Sequence, residues 1–319
     1  MTQPTVAILL AVWEPREDWL IELLDSLNAQ AYPHLHLYVR DDASPTYPLS
    51  RLRKVLEEHI TAFAFTLHQN ERNLGSNQTF GALIRDCCEP YVAFCDQDDV
   101  WLPDKIANTL HLLQGSPLEP VLVCANVAVI DGDGKPLAAR MEEHRRRHVF
   151  RRGTGLDAHL IYRNFAMGCT MMLARERALS YLPIPETPVH DHYLAFRAAR
   201  DGAIDYLDTP QMLYRVYGGN QTGVMTGVKT KADYYERRIA AFARRLSVLE
   251  QYADTEELRA ARRWCEARMA NFRREKGGFR ALWRLRGHNR VTSLFELFAL
   301  RFPAPLFRLA IRLVQKGAL

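Results

Sequence analysis

Apolar runs of strand length alternate with helix-patterned segments over the first hundred residues, and this alternation constrains the fold more than any other feature of the chain. Val6–Val12 is a continuous apolar run, as expected of a parallel strand buried on both faces. Leucines at helical spacing follow it, and further strands are predicted at 35–39, 63–67 and 91–95. The resulting order, βαβαβαβ, predicts an α/β fold with a Rossmann-like, mostly parallel sheet flanked by helices. Its functional site is expected at the carboxyl ends of the strands.

An acidic segment, Asp96-Gln97-Asp98-Asp99, follows the predicted strand 91–95 directly. Clustered carboxylates repel one another unless a cation joins them. Oxygen ligands at this D-x-D spacing suit Mg²⁺ or Mn²⁺, usually together with substrate phosphates. A solvated acidic turn is the alternative, and for an isolated D-x-D it is the better interpretation. The position at the end of a buried strand favours the divalent cation here.

The glycine-rich motifs that hold phosphates in other α/β proteins are absent. A dinucleotide-dependent dehydrogenase or epimerase needs G-x-G-x-x-G after the first strand, where this chain has Trp13-Glu14-Pro15-Arg16. The Walker A pattern is missing as well, and a sugar nucleotidyltransferase would need a glycine-rich, basic turn near its start. The sequence therefore favours a metal, rather than backbone amides, as the group that holds a diphosphate.

Charge divides the chain into two parts. Residues 229–319 contain 21 Lys and Arg against 9 Asp and Glu, a balance of +12, whereas the rest of the chain carries −7. We therefore predict a catalytic domain over 1–228 and a basic helical region over 229–319. Segments 279–285 and 302–313 mix basic and bulky apolar residues, which favours helices that lie on an anionic membrane surface. Packing on the core or a dimer interface is the alternative, and nucleic acid is not expected as a partner.

Cysteine usage and the first residues indicate the compartment. The six cysteines form no C-x-x-C pair, and several lie in apolar runs, which favours buried thiols in a reducing environment. Met1–Thr5 leads into the first strand without the features of a signal peptide, so a cytoplasmic location is expected. Since no uncharged apolar stretch reaches 18 residues, we expect at most peripheral attachment to the inner face of the cytoplasmic membrane.

Seven short motifs resemble those of the family 2 glycosyltransferases with the GT-A fold, in particular the rhamnosyltransferase-like members of bacterial polysaccharide synthesis. Each motif is weak alone, but their order and spacing over residues 5–223 are specific. They are Ile8-Leu-Leu-Ala11, Arg40-Asp41-Asp42-Ala-Ser44, Asn70-Glu-Arg-Asn-Leu-Gly75, Phe94-Cys-Asp-Gln-Asp-Asp-Val-Trp-Leu-Pro103, Gly168-Cys-Thr-Met-Met172, Leu182-Pro-Ile-Pro185 followed by His190-Asp191-His192, and Tyr214-Arg215 with Gly219-Asn220.

The resemblance implies an inverting hexosyltransferase. Its donor would be a nucleotide-diphospho-sugar, with L-rhamnose from dTDP-rhamnose as the specific expectation. Its acceptor would be a saccharide or lipid-linked oligosaccharide in the synthesis of O-antigen, lipopolysaccharide or capsule. A sugar nucleotidyltransferase and a catalytically inactive GT-A scaffold in an assembly complex are the alternatives. The presence of Asp96, Asp98 and Asp191 argues against the scaffold.

The resemblance also implies a donor site at the strand ends. Asp42 would face the nucleobase while Asp41 supports its loop, although an Asx turn is the alternative for Asp42. Asp98, together with Asp96, would bind the Mg²⁺ or Mn²⁺ that stabilises the departing diphosphate. The other implied donor-binding residues are Ala11, Trp13, Glu14, Arg72, Asn73, Gln97 and Arg215.

Asp191 is the implied catalytic base, which would accept the proton of the attacking acceptor hydroxyl. A helix is predicted over 193–200, so a helix N-cap is the alternative role for this side chain. Acceptor contacts are expected from two residues at or after the acidic segment, Asp99 and Trp101, and from the two histidines beside Asp191, His190 and His192.

Two departures from related sequences refine the prediction. Relatives commonly carry Tyr-Arg-x-His-Gly, and this chain has Tyr217 in place of the histidine. Because a phenol is a poor Mg²⁺ ligand, this motif does not by itself predict full metal dependence. Processive synthases carry Gln-x-x-Arg-Trp, whereas Ala260 precedes Arg263 and Trp264 here. Addition of a single sugar is therefore favoured over polymerisation.

Overall fold

The computed structural model describes residues 3–146, 148–217, 225 and 227–315, so the Gly219-Asn220 motif lies outside the described residues. The chain forms two compact units, Met1–Tyr217 and Gly218–Leu319. All described strands belong to the first unit, while the described elements of the second are helices. The functional division that the sequence predicts at residue 228 stays a prediction.

One mixed sheet forms the centre of the first unit. Its described strands are β1 (Val6–Val12), β2 (Leu35–Asp41), β3 (Ala64–Gln69), β4 (Tyr91–Cys95), β5 (Val100–Trp101), β6 (Leu122–Ile130), β7 (Pro136–Ala138), β8 (Met172–Ala174) and β9 (Ile204–Arg215). The order is β3-β2-β1-β4-β8-β6-β9-β5, with β7 on β6. The long ladders that join β1 to β2 and β4, β2 to β3 and β6 to β9 are parallel, whereas β8 and β5 pair antiparallel. The predicted α/β class with a mostly parallel sheet is confirmed.

Helices cover the sheet and connect its strands. In the first unit these are α1 (Glu17–Asn28), α2 (Leu49–His59), α3 (Ser76–Asp86), α4 (Lys105–Gly115), α5 (Met141–His144), α6 (Asp157–Leu160), α7 (Arg175–Ser180) and α8 (His190–Asp201). Burial explains the periodicity of the sequence, since residues 6–10 of β1 and the four α1 leucines are fully buried. Removing such apolar surface from water contributes most of the stability of a core of this kind.

The structure differs from the sequence prediction at strand and helix ends. β3 is an edge strand that pairs only with β2, and it runs two residues further than the apolar run because its outer face is solvated. α8 begins at His190, three residues before the predicted start. The two-residue β5 was not predicted, since its pairing with β9 depends on residues more than a hundred positions away.

Helices make up the second unit. The α-helices described are α9 (Lys231–Tyr234), α10 (Ala241–Leu249), α11 (Glu256–Phe272), α12 (Gly278–Arg284), α13 (Arg290–Phe298) and α14 (Ala304–Gln315), and a π-helical segment, Tyr235–Ala240, joins α9 to α10. Tyr234, Phe307 and Ile311 pack in one apolar cluster of this unit. Within the described part of the chain, no helix has the length and apolar character needed to cross a membrane.

Candidate active site

Arg215, the last residue of β9, holds the acidic segment after β4 in place. Its backbone N–H donates to Oδ1 of Asp99 at 2.9 Å, and its Nε donates to the carbonyl oxygen of Asp98 at 2.9 Å. The guanidinium also donates to the carbonyl oxygen of Gly132 at 3.4 Å and pairs with Glu22. Because Arg215 is only 1% exposed and its donors are used within the protein, the expected contact with the donor phosphates does not fit. Its position makes it a support for the acidic segment instead.

Buried carboxylates of like charge meet at this strand end. Burial and the nearby Asp98 raise the pKa of Asp96 to about 7. Burial likewise raises the pKa of Asp98, and it raises that of Asp99 well above the usual value. These pKa shifts show that the ionised forms are costly here without a positive partner.

Two of these carboxylates, those of Asp96 and Asp99, lie close enough together to hold a divalent cation. Ligand atoms of Asp96, Asp99 and Cys169 lie within 4.8 Å of one another, and Oδ2 of Asp99 has no hydrogen-bond partner among the described residues. Burial raises the pKa of the Cys169 thiol well above its usual value, so it stays protonated and is a poor ligand for a hard cation. The carboxylate oxygens are the ligands that suit Mg²⁺ or Mn²⁺. The Asp98 carboxylate accepts a hydrogen bond from the Tyr217 hydroxyl at 2.7 Å.

Lys105 lies buried beside the acidic cluster, and the sequence analysis missed it. Its Nζ donates to the Cys169 carbonyl oxygen at 2.5 Å and lies 3.2 Å from the centroid of the Trp101 ring. Burial lowers its pKa to about 8, although Asp96 and Asp99 act in the opposite direction. The only signal in the sequence is that Lys105 falls on the inward face of a helix with apolar neighbours, which does not reveal its partners.

Asp191 lies in the first turn of α8, close enough to Asp96 for its charge to raise the pKa of that residue. The N-cap of α8 is Val189, so the alternative role of Asp191 as N-cap is not what the structure shows. A carboxylate oxygen of Asp191 accepts the N–H of His192 at 2.5 Å. Burial raises the pKa of Asp191 to about 6. A carboxyl group that titrates near neutral pH is suited to exchange a proton with a substrate.

Gly168 leaves room for this turn. A Cβ atom at position 168 would lie 2.8 Å from Nε2 of His190 and 3.3 Å from Cβ of Asp191. Any larger residue would therefore push the start of α8 away.

The acceptor contacts expected from four residues do not fit their burial. Asp99, Trp101 and His192 are 0–4% exposed, because β5 turns inward to pair with β9 and α8 buries one face. Nε2 of His192 is hydrogen-bonded to the carbonyl oxygen of Leu160. His190 is 8% exposed, between aromatic rings of the core.

Two aspartates organise the loops beside the acidic segment. Asp41 accepts hydrogen bonds from the backbone N–H of Ser44 and from its hydroxyl, at 3.1 and 2.6 Å, so the side chain that closes the turn 41–44 is that of Asp41 and not that of Asp42. Asp42 is 4% exposed and accepts the N–H groups of Leu74 and Gly75, both at 2.8 Å. Asp42 thus fixes the loop that follows β3, and its contact with a nucleobase stays a prediction.

The remaining predicted donor residues lie around these loops. Gln97 joins the end of β1 to the acidic segment, because its side-chain amide bonds the backbone N–H and C=O of Trp13 at 2.8 and 3.0 Å. The Glu14 carboxylate accepts the N–H of Thr46 at 2.7 Å. Ala11 is partly buried at the end of β1, whereas Arg72 and Asn73 are exposed in the loop after β3.

A cleft of about 370 Å³ opens beside Asp98. It brings the predicted donor residues Glu14, Gln97 and Asp98 together with residues that the sequence analysis did not select. The complete lining is Glu14, Arg16, Trp19, Gln97, Asp98, Gly132, Asp133 and Tyr217. Arg72, Asn73 and Asp191 are not part of this lining.

Comparison with known proteins identifies the family. The model of glycosyl transferase family 2 matches residues 9–180, so the chain belongs to this family and is a glycosyltransferase. The dTDP-rhamnosyl transferase RfbG of Shigella flexneri is 24% identical over 227 residues, which cover 67% of this chain and 74% of that protein. The uncharacterized protein Rv1520 of Mycobacterium tuberculosis is 26% identical over 208 residues, 63% of this chain and 56% of its own length.

Solved structures of glycosyltransferases share the fold. The structure of Staphylococcus aureus TarS residues 1–349 in complex with UDP-GlcNAc gives a TM-score of 0.58 at 17% identity, over 98% of this chain and 92% of that one. The mannosyltransferase PcManGT of Pyrobaculum calidifontis, in complex with GDP-Man and Mn²⁺, also gives 0.58, at 16% identity and over 99% and 87% of the two chains. The predicted GT-A fold is confirmed.

The raised pKa of Asp96 predicts a specific pH dependence of stability without metal. Its pKa is about 7 in the folded protein and near 3.8 when unfolded, so stability present below pH 4 is lost as the pH rises towards 7. Asp96→Asn removes this loss. In EDTA, its melting temperature should exceed that of the wild type by a margin that widens from pH 5 to pH 7. The exposed Asp133→Asn is the control, and a constant margin for Asp96→Asn would contradict the prediction.

Proposed function

We propose that this glycosyltransferase transfers one sugar, with inversion, from a nucleotide-diphospho-sugar to a saccharide acceptor. The observation that carries the proposal is the desolvated cluster of Asp96, Asp98 and Asp99 beside Asp191, whose pKa is raised to about 6. The carboxylates of the acidic segment are suited to bind a cation, and that of Asp191 is suited to accept a proton. In the proposed transfer, the cation and the base act on opposite sides of the anomeric carbon.

Asp98, which lines the cleft, and Asp96 are the proposed ligands of Mg²⁺ or Mn²⁺. Asp99, whose carboxylate lies within 4.8 Å of that of Asp96, is the alternative to Asp98. Such a cation supplies Lewis-acid stabilisation of the leaving nucleoside diphosphate. Asp191 takes the proton of the acceptor hydroxyl, and the fixed loops at the strand ends orient the donor. Since orientation and electrostatics account for most of the acceleration of such reactions, the hydrogen bonds that hold these loops matter for the rate.

The donor is proposed to be dTDP-rhamnose and the acceptor a saccharide or lipid-linked oligosaccharide of a bacterial surface polysaccharide. RfbG, which is named a dTDP-rhamnosyl transferase, supports this choice because its similarity extends over two thirds of this chain. A second relative, the UDP-Glc-dependent β-1,3-glucosyltransferase WfaP of Escherichia coli, is 23% identical over 109 residues and makes glucose the next candidate. Family membership sets aside the sugar nucleotidyltransferase.

A panel of nucleotide sugars tests the donor. Thermal shift is measured for dTDP-rhamnose, UDP-glucose, UDP-GlcNAc and GDP-mannose, each with Mg²⁺, with Mn²⁺ and with EDTA, because a ligand that binds the folded state raises the melting temperature. We expect the largest shift with dTDP-rhamnose and a cation, and loss of the cation-dependent part in Asp98→Asn. A shift from none of the four, with no hydrolysis of any of them, would favour an inactive scaffold.

Asp191→Asn tests the base. The amide keeps the size of the carboxylate but cannot take a proton, so turnover should fall by about 10²-fold or more while donor binding changes little. Release of nucleoside diphosphate measures turnover, and the thermal shift with donor measures binding. Near-normal turnover of this variant would remove Asp191 from its proposed role.

We propose further that the second unit attaches the enzyme peripherally to an anionic membrane. Seven arginines lie between residues 277 and 315, and the single acidic residue there, Glu296, is buried and paired with Arg268. The accessible charge of this segment is therefore positive throughout. Large apolar side chains are exposed in the same segment, namely Phe279, Trp283, Val291, Phe298, Phe302, Leu306, Leu309 and Leu313.

α14 carries two apolar faces. Phe307 and Ile311 are buried in the core of the unit, whereas Leu306, Leu309 and Leu313 are 38–53% exposed. The exposed leucines, at i, i+3 and i+7, form a stripe along the helix, and Arg308 and Arg312 follow one another at i and i+4 beside it. The leucines are suited to the acyl-chain layer of an anionic membrane, and the arginines beside them are suited to its head groups.

Vesicle binding by the full chain tests this attachment. Each arginine near an anionic surface contributes about 1 kcal/mol, so Arg308→Glu with Arg312→Glu should weaken binding by about 30-fold or more. Arg259→Glu with Arg263→Glu, on α11, makes the same change in net charge and should have a smaller effect. Binding to phosphatidylserine vesicles should weaken as salt rises, by screening. Equal effects of the two pairs, or no binding at low salt, would contradict the proposal.

A further inference from the structure

Asn77, in the first turn of α3, connects this helix to the start of α8. It is 7% exposed, and its Oδ1 accepts the backbone N–H of His190 at 2.8 Å. Its Nδ2 donates to the carbonyl oxygens of Pro185 at 2.6 Å and Pro188 at 2.9 Å. One amide side chain therefore holds both the segment before α8 and the first residue of that helix.

This contact replaces a missing helix cap. The first amides of a helix have no intrahelical partner, and the N-cap residue of α8, Val189, has no side chain that can accept a hydrogen bond. Asn77 supplies that acceptor from another helix, more than a hundred residues earlier in the chain. The next residue after the capped amide is Asp191, so the hydrogen bond fixes the backbone from which the proposed base projects.

The other end of the connection is the loop after β3. Asp42 accepts the N–H groups of Leu74 and Gly75, and Gly75 is the N-cap of α3. Asn70 adds hydrogen bonds to Asp42 at 2.7 Å and to Thr79 at 3.0 Å. The end of β2, the loop 70–75, the first turn of α3 and the start of α8 are thus joined by hydrogen bonds of 2.6–3.0 Å.

From these contacts we infer that Asn77 is a positioning residue for Asp191, an inference that rests on the proposed function. It acts through the backbone of His190 and touches neither substrate nor reacting atoms. The loop 70–75, which carries the predicted donor residues Arg72 and Asn73, belongs to the same set of hydrogen bonds. Asn77 therefore connects the position of this loop to the position of the proposed base. A misplacement of about 1 Å at a reacting group lowers rates by as much as 10²-fold, so loss of this contact acts on turnover.

Asn77→Ala and Gln78→Ala form a matched pair. Both remove an amide side chain from the same helix, and both remove a donor to the same segment, since Nε2 of Gln78 donates to the carbonyl oxygen of Ile184 at 2.8 Å. Of the two side chains, only that of Asn77 also accepts the N–H of His190 at the start of α8. Asn77→Asp is the second variant, because its carboxylate still accepts this N–H but no longer donates to the two proline carbonyl oxygens.

Turnover is measured with the donor that the thermal-shift panel selects. Asn77→Ala should lower kcat by about 10-fold or more with the donor KM changed less than about 2-fold, while Gln78→Ala stays close to the wild type. Asn77→Asp, which keeps the acceptor, should lose less turnover than Asn77→Ala. In the Asp191→Asn background Asn77→Ala should add no further loss, because residues that act through one another are not additive. Equal losses for Asn77→Ala and Gln78→Ala, or full additivity with Asp191→Asn, would overturn the inference.

Hydrogen–deuterium exchange of the full chain gives a readout that needs no donor. The amides of residues 189–193 should exchange faster in Asn77→Ala than in Gln78→Ala, and unchanged exchange in Asn77→Ala would overturn the inference. The two proposals fail differently. Normal turnover of Asp191→Asn overturns the base and with it the role of Asn77, whereas loss in Asp191→Asn with normal turnover in Asn77→Ala overturns the role of Asn77 alone.

Discussion

The active site depends on keeping carboxylates of like charge together in a buried position. Asp99 is fully buried, and Asp96 and Asp98 are desolvated enough for their pKa values to rise. Such an arrangement opposes folding unless other groups compensate for it. Arg215 provides one compensation from the end of β9, and Lys105 provides another from the start of α4. The acidic segment is therefore held in a form that a cation would stabilise further.

Hydrogen bonds between loops, rather than apolar packing, set the geometry around this cluster. The sheet is closely packed and places the strand ends side by side, but each loop is then fixed by one or two polar side chains: Asp41 and Asp42 after β2, Gln97 after β4 and Asn77 before α8. Most of these side chains are buried, so their hydrogen bonds are costly to leave unmade. This explains how loops without regular structure hold defined positions.

The sequence predicted what depends on local pattern. Val6–Val12 and Tyr91–Cys95 are short apolar runs, and both are strands. The acidic segment could be recognised in the sequence because it directly follows such a run. The cited contacts of Arg215 and Asn77 span 83–117 residues of sequence, and a lone arginine or asparagine gives no sign of its partner. Trp101 and His192 were expected to contact the acceptor, whereas pairing of β5 with β9 and the packing of α8 bury them. The burial of these side chains depends on how distant strands and helices pair and pack, which the local sequence does not show.

In the second unit, the described residues 277–315 bury their acidic charge and expose their basic charge. Its buried ion pair joins Arg268 and Glu296, and the hydroxyl of Tyr234 donates to the same carboxylate at 2.9 Å, so the only acidic side chain between residues 277 and 315 is used inside. Arg286 and Arg301 lie over the rings of Trp283 and Phe279, at 4.4 and 4.8 Å from the ring centroids. Cation–π contacts of this kind keep a basic group and an aromatic ring on the same side of the chain. The exposed surface of residues 277–315 therefore combines basic and apolar side chains, and the proposed attachment to an anionic lipid layer rests on this combination.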